Sequence, residues 1–197
     1  MPTVRSTLGL AKRGLKEYQM TETGQVPNAA EVADRFAIMD VLNMHSRGVD
    51  RASAEILKSA YWPNAKVDYG AFKGNAHQWC EGLPAGIRHY AGTQHKISNI
   101  AIEFNGDEAK VETYVTAYHY LAVLNGDDTE MTYIGRYFDD MEKRDNVWKI
   151  KFRKICMDWH QNALVTHDDD NPGLNQITRG GRQPEDPLFA FLNGESS

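Results

Sequence analysis

KISNIAIEFNGDEAKVETYVTAYHYLAVLNGDDTEMTYIGRYFDDMEKRDNVWKIKFRKICMDW, residues 96 to 159, alternates apolar and polar side chains between punctuating turns. Lys96 to Phe104 reads as one strand and Ala109 to Leu124 as the next, joined at Asn105-Gly106-Asp107 with glycine where a tight hairpin needs a positive φ. Asn125-Gly126-Asp127-Asp128 makes a second turn, and Arg144-Asp145-Asn146 a third between Met131 to Met141 and Val147 to Trp159. Such closely joined strands form an antiparallel meander.

Upstream the period changes. Asn28 reads as an N-cap with Glu31 three positions on, and Val32, Phe36, Met39 and Leu42 follow at helical spacing, giving an amphipathic helix that ends near Gly48. A short helix over Ala52 to Ala60 is predicted next, then a turn at Pro63-Asn64 into a strand from Ala65 to Phe72. Residues 76 to 90 are predicted as further helix, interrupted at Pro84 and Gly86. Helices followed by hairpins make the fold class α+β. Residues 1 to 27 are polar and end in Gly24 and Pro27, an arm; from His160 onward Asp, Gly and Pro dominate, and only Pro187 to Leu192 has the apolar content to dock.

At 197 residues the chain fits one domain. A net charge of -5 without any basic stripe argues against nucleic acid as a partner. No run of apolar residues is long enough for a membrane span, and Met1 to Met20 lacks a secretory core. The two cysteines, Cys80 and Cys156, have no CxxC spacing and point to a reducing, cytoplasmic setting.

Alternation places Ala109, Val111, Thr113, Val115, Ala117, His119, Leu121 and Val123 on one strand face, so His119 lies among apolar neighbours. From this strand alone a core histidine is the simpler reading. Asp50 after Gly48-Val49, and His95 after Thr93-Gln94, each read alone as turn or strand-start residues, and spacing does not pair them. Asp158-Trp159-His160 and His167 to Asp170 are the local clusters a metal would use, but they lack the spaced acceptors and glycine of a calcium loop, and no metal site is expected.

Taken together, Arg47-Gly48-Val49-Asp50-Arg51, Val67-Asp68-Tyr69, Thr93-Gln94-His95 and Arg144-Asp145-Asn146-Val147-Trp148-Lys149 resemble the SnoaL-like superfamily, with the nuclear-transport-factor-2-like fold. The resemblance spans residues 28 to 162, leaving 1 to 27 as an N-terminal arm and 163 to 197 as a partly docked C-terminal tail. It implies a cone-shaped, curved antiparallel sheet wrapped around the long N-terminal helix, with short helices beside it. Its nearest branches are the scytalone dehydratases, hexachlorocyclohexane dehydrochlorinases and bile-acid 7α-dehydratases, all cofactor-independent lyases. Carried over by position, the resemblance makes Asp50 and His95 a dyad in which imidazole takes a proton from carbon and carboxylate orients it. It makes His119 and Tyr69 acid or electrostatic groups, and puts Arg153 near a departing anion. His45 stands where the dehydrochlorinases have lysine, and Val49 where the scytalone dehydratases have tyrosine.

The resemblance therefore implies a lyase without cofactor, dehydratase-like, acting on a small hydrophobic, aromatic or alicyclic oxygenated molecule. Phe36, Trp62, Tyr69, Trp79, Tyr137 and Trp159 offer rings for its pocket. His45, Val49, Trp62, Tyr137 and Met157 are the expected substrate-binding residues. The alternatives are a retro-aldol lyase releasing formaldehyde from lignin-derived diols, a polyketide cyclase or isomerase, and a non-catalytic binding module or dioxygenase β-like subunit. Relatives of this kind are often trimers, so a homotrimer is expected, with a dimer as the alternative.

Overall fold

A computed structural model describes residues 24–122, 127–165 and 171–195. The expectations on residues 1 to 23 of the arm, on Val123, Leu124 and the Asn125-Gly126 turn, and on His167 to Asp170 fall outside the described residues.

The chain opens with helix α1 (Ala29–Asp50), whose first turn is capped by the Asn28 side chain accepting from the Glu31 N–H at 3.0 Å. Its buried face is Ile38, Leu42, His45, Ser46 and Val49, which shares only Leu42 with the predicted stripe. Val32 and Met39 are exposed and Phe36 is 62% exposed, because they share the helix face turned from the sheet, whereas Asp34 accepts from the Trp148 indole and Arg35 lies over the Phe104 ring. The helix runs on past Gly48 to Asp50, since glycine lets α2 (Ala54–Ser59) approach closely; a methyl at Gly48 would lie 2.7 Å from the Leu57 nitrogen.

Strand β1 (Tyr61–Asp68) begins earlier than predicted and passes straight through Pro63. Its register against the last strand is irregular between Tyr61 and Lys66, and proline is tolerated in such a bulge because no ladder hydrogen bond is lost there. A short β2 (Lys73–Asn75) and helix α3 (Ala76–Ile87) follow, the helix continuing through Pro84. Then come β3 (Gly92–Asn105), β4 (Glu108–Leu121), β5 (Thr129–Arg144) and β6 (Val147–Leu164), the meander expected from turn chemistry. Gly106 at φ +64° closes one hairpin, and Asp145 and Asn146, both left-handed, close another in two residues.

The sheet is mixed, not wholly antiparallel. Its order is β2-β1-β6-β5-β4-β3, and β1 runs parallel to β6, as the helical crossover from β1 to the meander permits. Helix α1 packs against β3 and β6 on the concave side, closing a core of Ile38, Leu42, Leu57, Tyr61, Val67 and Ile150. Ala109, Val111, Thr113, Val115 and Ala117 of β4 all face inward, as alternation predicted. Two short helices, α4 (Pro172–Asn175) and α5 (Pro187–Leu192), end the chain. In the tail Leu188 and Phe189 are half-buried and Asp186 is buried, while Phe191 is 76% exposed. Among the described residues no helix is long and apolar enough to cross a membrane.

A register shift between Ile134 and Gly135 bends β5 over the concave side. A methyl at Gly135 would lie 2.2 Å from the Cys156 carbonyl oxygen and 2.4 Å from the Tyr133 hydroxyl, so backbone must move to admit it. Gly82, inside α3, faces open space. Gly135→Ala is expected to lower the unfolding free energy by ~1–3 kcal/mol, and Gly82→Ala to raise it by up to ~1 kcal/mol, both read from urea denaturation midpoints.

Candidate active site

The end of α1 and the start of β3 meet at one carboxylate. Asp50, the last residue of α1, accepts the His95 backbone N–H on Oδ2 at 2.9 Å and the His95 ring Nδ1–H on Oδ1 at 2.8 Å. A carboxylate can only accept, so Nδ1 carries the proton and the neutral ring keeps its lone pair on Nε2. Both side chains are nearly buried, and His95 lines a cavity of about 230 Å³. That volume suits a ligand of one or two rings, below the ~300–1,000 Å³ of drug-sized sites.

The rest of the lining comes from every layer. Helix α1 contributes His45 and Val49, α3 contributes Trp79, Leu83 and Ile87, and the meander contributes Ala117, His119, Met131, Tyr133, Tyr137 and Ile155. Pairing of Thr93 with His119 across β3 and β4 sets His119 diagonally beside His95, their ring centroids 5.3 Å apart. Tyr69 stacks on Trp79 at 4.2 Å, and Trp79 stacks in turn on His45 at 5.9 Å.

Several of these groups are buried without a hydrogen bond: His45 Nε2, the Tyr69 hydroxyl and His119 Nδ1. The Tyr69 hydroxyl neighbours that of Tyr61 without a well-formed bond, and His119 lies close to the Met131 and Ala117 backbone in the same way. A buried unpaired polar group costs ~1–3 kcal/mol. Polar atoms left so around one cavity point to a ligand that completes them.

Their protonation follows from burial. Burial, then the charges of Arg153 and His95, holds the His45 ring well below the usual imidazole value. Burial and the neighbouring His95 also lower His119. Burial pushes the Tyr69 hydroxyl well up and that of Tyr137 to about 12, so both keep their protons. The Tyr61 hydroxyl lies 3.1 Å from His45 Nδ1; with Tyr61 donating, His45 Nε2 carries the proton and is a neutral donor.

Arg153 is not where the expectation placed it. It is 0% exposed, absent from the lining, and forked onto Asp139 at 2.6 and 2.7 Å, with its guanidinium 4.1 Å from the Tyr137 ring centroid. Burial works against both charges and pushes the Asp139 carboxyl up, while the Asp139 charge holds the Arg153 guanidinium well above its usual value. Arg153 thus supports the floor of the site beneath Tyr137. Trp62 also lies elsewhere: its indole donates to the Glu142 carbonyl, and the Arg144 guanidinium sits 4.6 Å from its ring. Met157 and Trp159 are each 57% exposed and outside the lining, beyond the point where β6 leaves the core, and Phe36 is exposed on α1. Asp158 pairs with Arg136 on the outer face of the sheet. Leu83, Ile87, Met131, Tyr133 and Ile155 line the cavity without having been singled out from sequence, where nothing local separates them from other apolar and aromatic positions.

Among known proteins, the family described as SnoaL-like domain matches residues 30–154. An uncharacterized protein of Mycobacterium tuberculosis is 26% identical over 119 residues, 57% of this chain and 77% of that protein. A type 2 hexachlorocyclohexane dehydrochlorinase superposes with TM-score 0.61 at 24% identity, covering 70% of this chain and 93% of its own, a likeness of fold. A protein of Novosphingobium aromaticivorans, provisionally designated a scytalone dehydratase, superposes with TM-score 0.58 at 25% identity, over 69% of this chain and 91% of its own.

A histidine held neutral in the folded state takes up its proton on unfolding in acid. Stability therefore falls as pH drops below the unfolded-state value near ~6.5 and is level above it, by at most ~1.4 kcal/mol per pH unit for each such ring. Because the His45 ring is depressed by burial, His45→Gln is expected to flatten this acid limb by about that slope. Urea denaturation between about pH 5 and 7.5 measures it; identical slopes in the two proteins would show that His45 binds as many protons folded as unfolded, with no depression by burial.

Proposed function

We propose that this chain, which belongs to the SnoaL-like family, is a lyase that removes water from a small cyclic β-hydroxy ketone by proton abstraction. The observation that carries the reading is the Asp50–His95 contact at the wall of an aromatic cavity, with unpartnered polar atoms around it.

His95 Nε2 is the base. It takes the proton on the carbon next to the ketone, and Asp50 stabilises the imidazolium that forms. The electron pair moves onto the ketone oxygen, which needs donors that do not themselves lose protons. Tyr69 and His45 meet that requirement, the first through a hydroxyl whose pKa burial raises and the second through Nε2–H. When the enolate returns its electrons, the β-hydroxyl leaves as water, using the proton that His95 has just acquired. His119 is the less suitable acid because burial keeps its ring neutral, and it serves here by orienting that hydroxyl. Each proton is carried by the chain's own groups, so the sequence of steps calls on no cofactor.

Water suits this site better than halide as the leaving group. No lysine or arginine lines the cavity among the described residues, and Arg153 is committed to Asp139 beneath it. Besides the His95 imidazolium, a departing halide anion would find only neutral donors.

The test uses a hydroxytetralone whose hydroxyl is β to its ketone, a two-ring probe that loses water to give a fluorescent naphthol. Turnover is expected with the purified chain alone, reduced by at least ~100-fold in both Asp50→Asn and His95→Ala. Equal rates in wild type and in both variants, with unchanged circular dichroism, would sink the reading. Naphthol binding without any turnover would favour a binding module instead.

A further inference from the structure

The C-terminal segment holds a side chain that bridges the same two elements as the Asp50 carboxylate. Arg182 Nη1 donates to the Asp50 backbone carbonyl at 2.5 Å and to Thr93 Oγ1 at 2.8 Å, and Nη2 donates to the Tyr90 carbonyl at 3.2 Å. Thr93 lies two residues before His95 on β3, and Tyr90 is in the turn leading to it. One planar guanidinium therefore ties the end of α1 to the start of β3.

The attachment answers a need of the helix end. The last carbonyls of a helix lack partners within it. Here Arg47 O accepts from Arg51, Gly48 O from Ser53 and Val49 O from Ala52, which leaves Asp50 O to Arg182. A cation at this end is also favoured by the helix dipole. The segment is held to the same place by further contacts: the Gln183 N–H donates to Arg51 O at 2.8 Å, Arg88 donates to Gln183 O at 2.9 Å, and Asp186 pairs with Arg51 at 3.3 Å. Asp186 in turn accepts the Gly181 N–H at 2.7 Å, fixing the loop that presents Arg182. The contributing residues of this segment, Gly181 to Asp186, lie beyond residue 154, where the match to the family ends.

We infer that Arg182 is a positioning residue for the Asp50–His95 pair, an external clamp that sets the distance between the two backbones whose side chains meet at the cavity. The inference rests on the reading of that pair as the reacting dyad. Arg182 lines no part of the cavity, so its effect is expected on orientation and not on ligand affinity. A lysine keeps the charge but cannot contact the carbonyls of Asp50 and Tyr90 and the Thr93 hydroxyl as one fork.

The experiment follows the His95 Nδ1 proton by NMR in the full chain, assigned by its loss in Asp50→Asn. In Arg182→Ala that resonance is expected to broaden or move upfield, with partial recovery in Arg182→Lys and on adding ethylguanidinium to Arg182→Ala. With the hydroxytetralone probe, kcat is expected to fall ~10- to 100-fold, the scale of a small misplacement of reacting groups, while KM stays within about 3-fold. An unchanged resonance in Arg182→Ala overturns the clamp, whatever happens to its melting temperature. A resonance lost and restored by neither lysine nor ethylguanidinium overturns it too, because the segment would then serve folding only. If Asp50→Asn abolishes the resonance but leaves turnover untouched, the functional reading falls and the clamp stands.

Discussion

The site depends on one carboxylate whose two oxygens each accept a hydrogen bond from the same residue. Asp50 accepts from the backbone and the ring of His95, so the carboxylate fixes where β3 begins as well as which ring nitrogen is protonated. Charge-assisted hydrogen bonds of this kind are about twice as strong as neutral ones. A ring hydrogen bond alone would leave the imidazole free to pivot. With the backbone bond beside it, the ring is held at a set height above the cavity floor.

A second buried ion pair supports that floor. Arg153 and Asp139 sit on neighbouring strands in register, Asp139 opposite Arg153 across β5 and β6, and neither side chain is exposed. A pair like this gives little net stability, but removing one partner costs ~3–5 kcal/mol because the other charge is stranded. Its structural value lies in the rings above it: Tyr137 and Tyr61 both lie within cation-π range of the guanidinium, and His45 packs edge-on against both. The same positive charge helps keep His45 neutral. An arginine that sequence comparison assigns to a leaving group thus acts from beneath, on the ring that faces the ligand.

The meander was legible in sequence because its signals are local. Gly106, Asp145 and Asn146 mark turns by their own backbone requirements, and period-2 alternation sorted β4 correctly into inner and outer faces. What failed was non-local. Val32, Phe36 and Met39 made a helical stripe with Leu42, yet the sheet covers a different face that takes in Asp34 and Ile38, and no property of the helix alone shows which face is covered. Pro63 read as a turn because its tolerance depends on a bulge against β6, some ninety residues away. Asp50 and His95 were placed together by resemblance, since their separation of 45 residues carries no geometric content by itself. Arg182 was invisible for a related reason: it stands among glycines and a proline that describe a loop, and nothing local says that the loop folds back onto a helix end.

The protonation states around the cavity narrow the order of events more than the identities of the residues do. Three histidines converge on it, but burial removes the proton from His45 and His119. If His95 takes a proton from carbon, as proposed, its imidazolium is the acid best placed to give one up. The group that leaves must then collect its proton from the same nitrogen, so it has to depart from the face of the substrate that lost the hydrogen. A site with a separate acid on the far wall would favour departure from opposite faces. The lining of this site also carries Tyr69 and Trp79, one with a hydroxyl that burial keeps from ionising and the other stacked on His45. On the proposed reading, elimination with both groups on one face follows from where protons can reside.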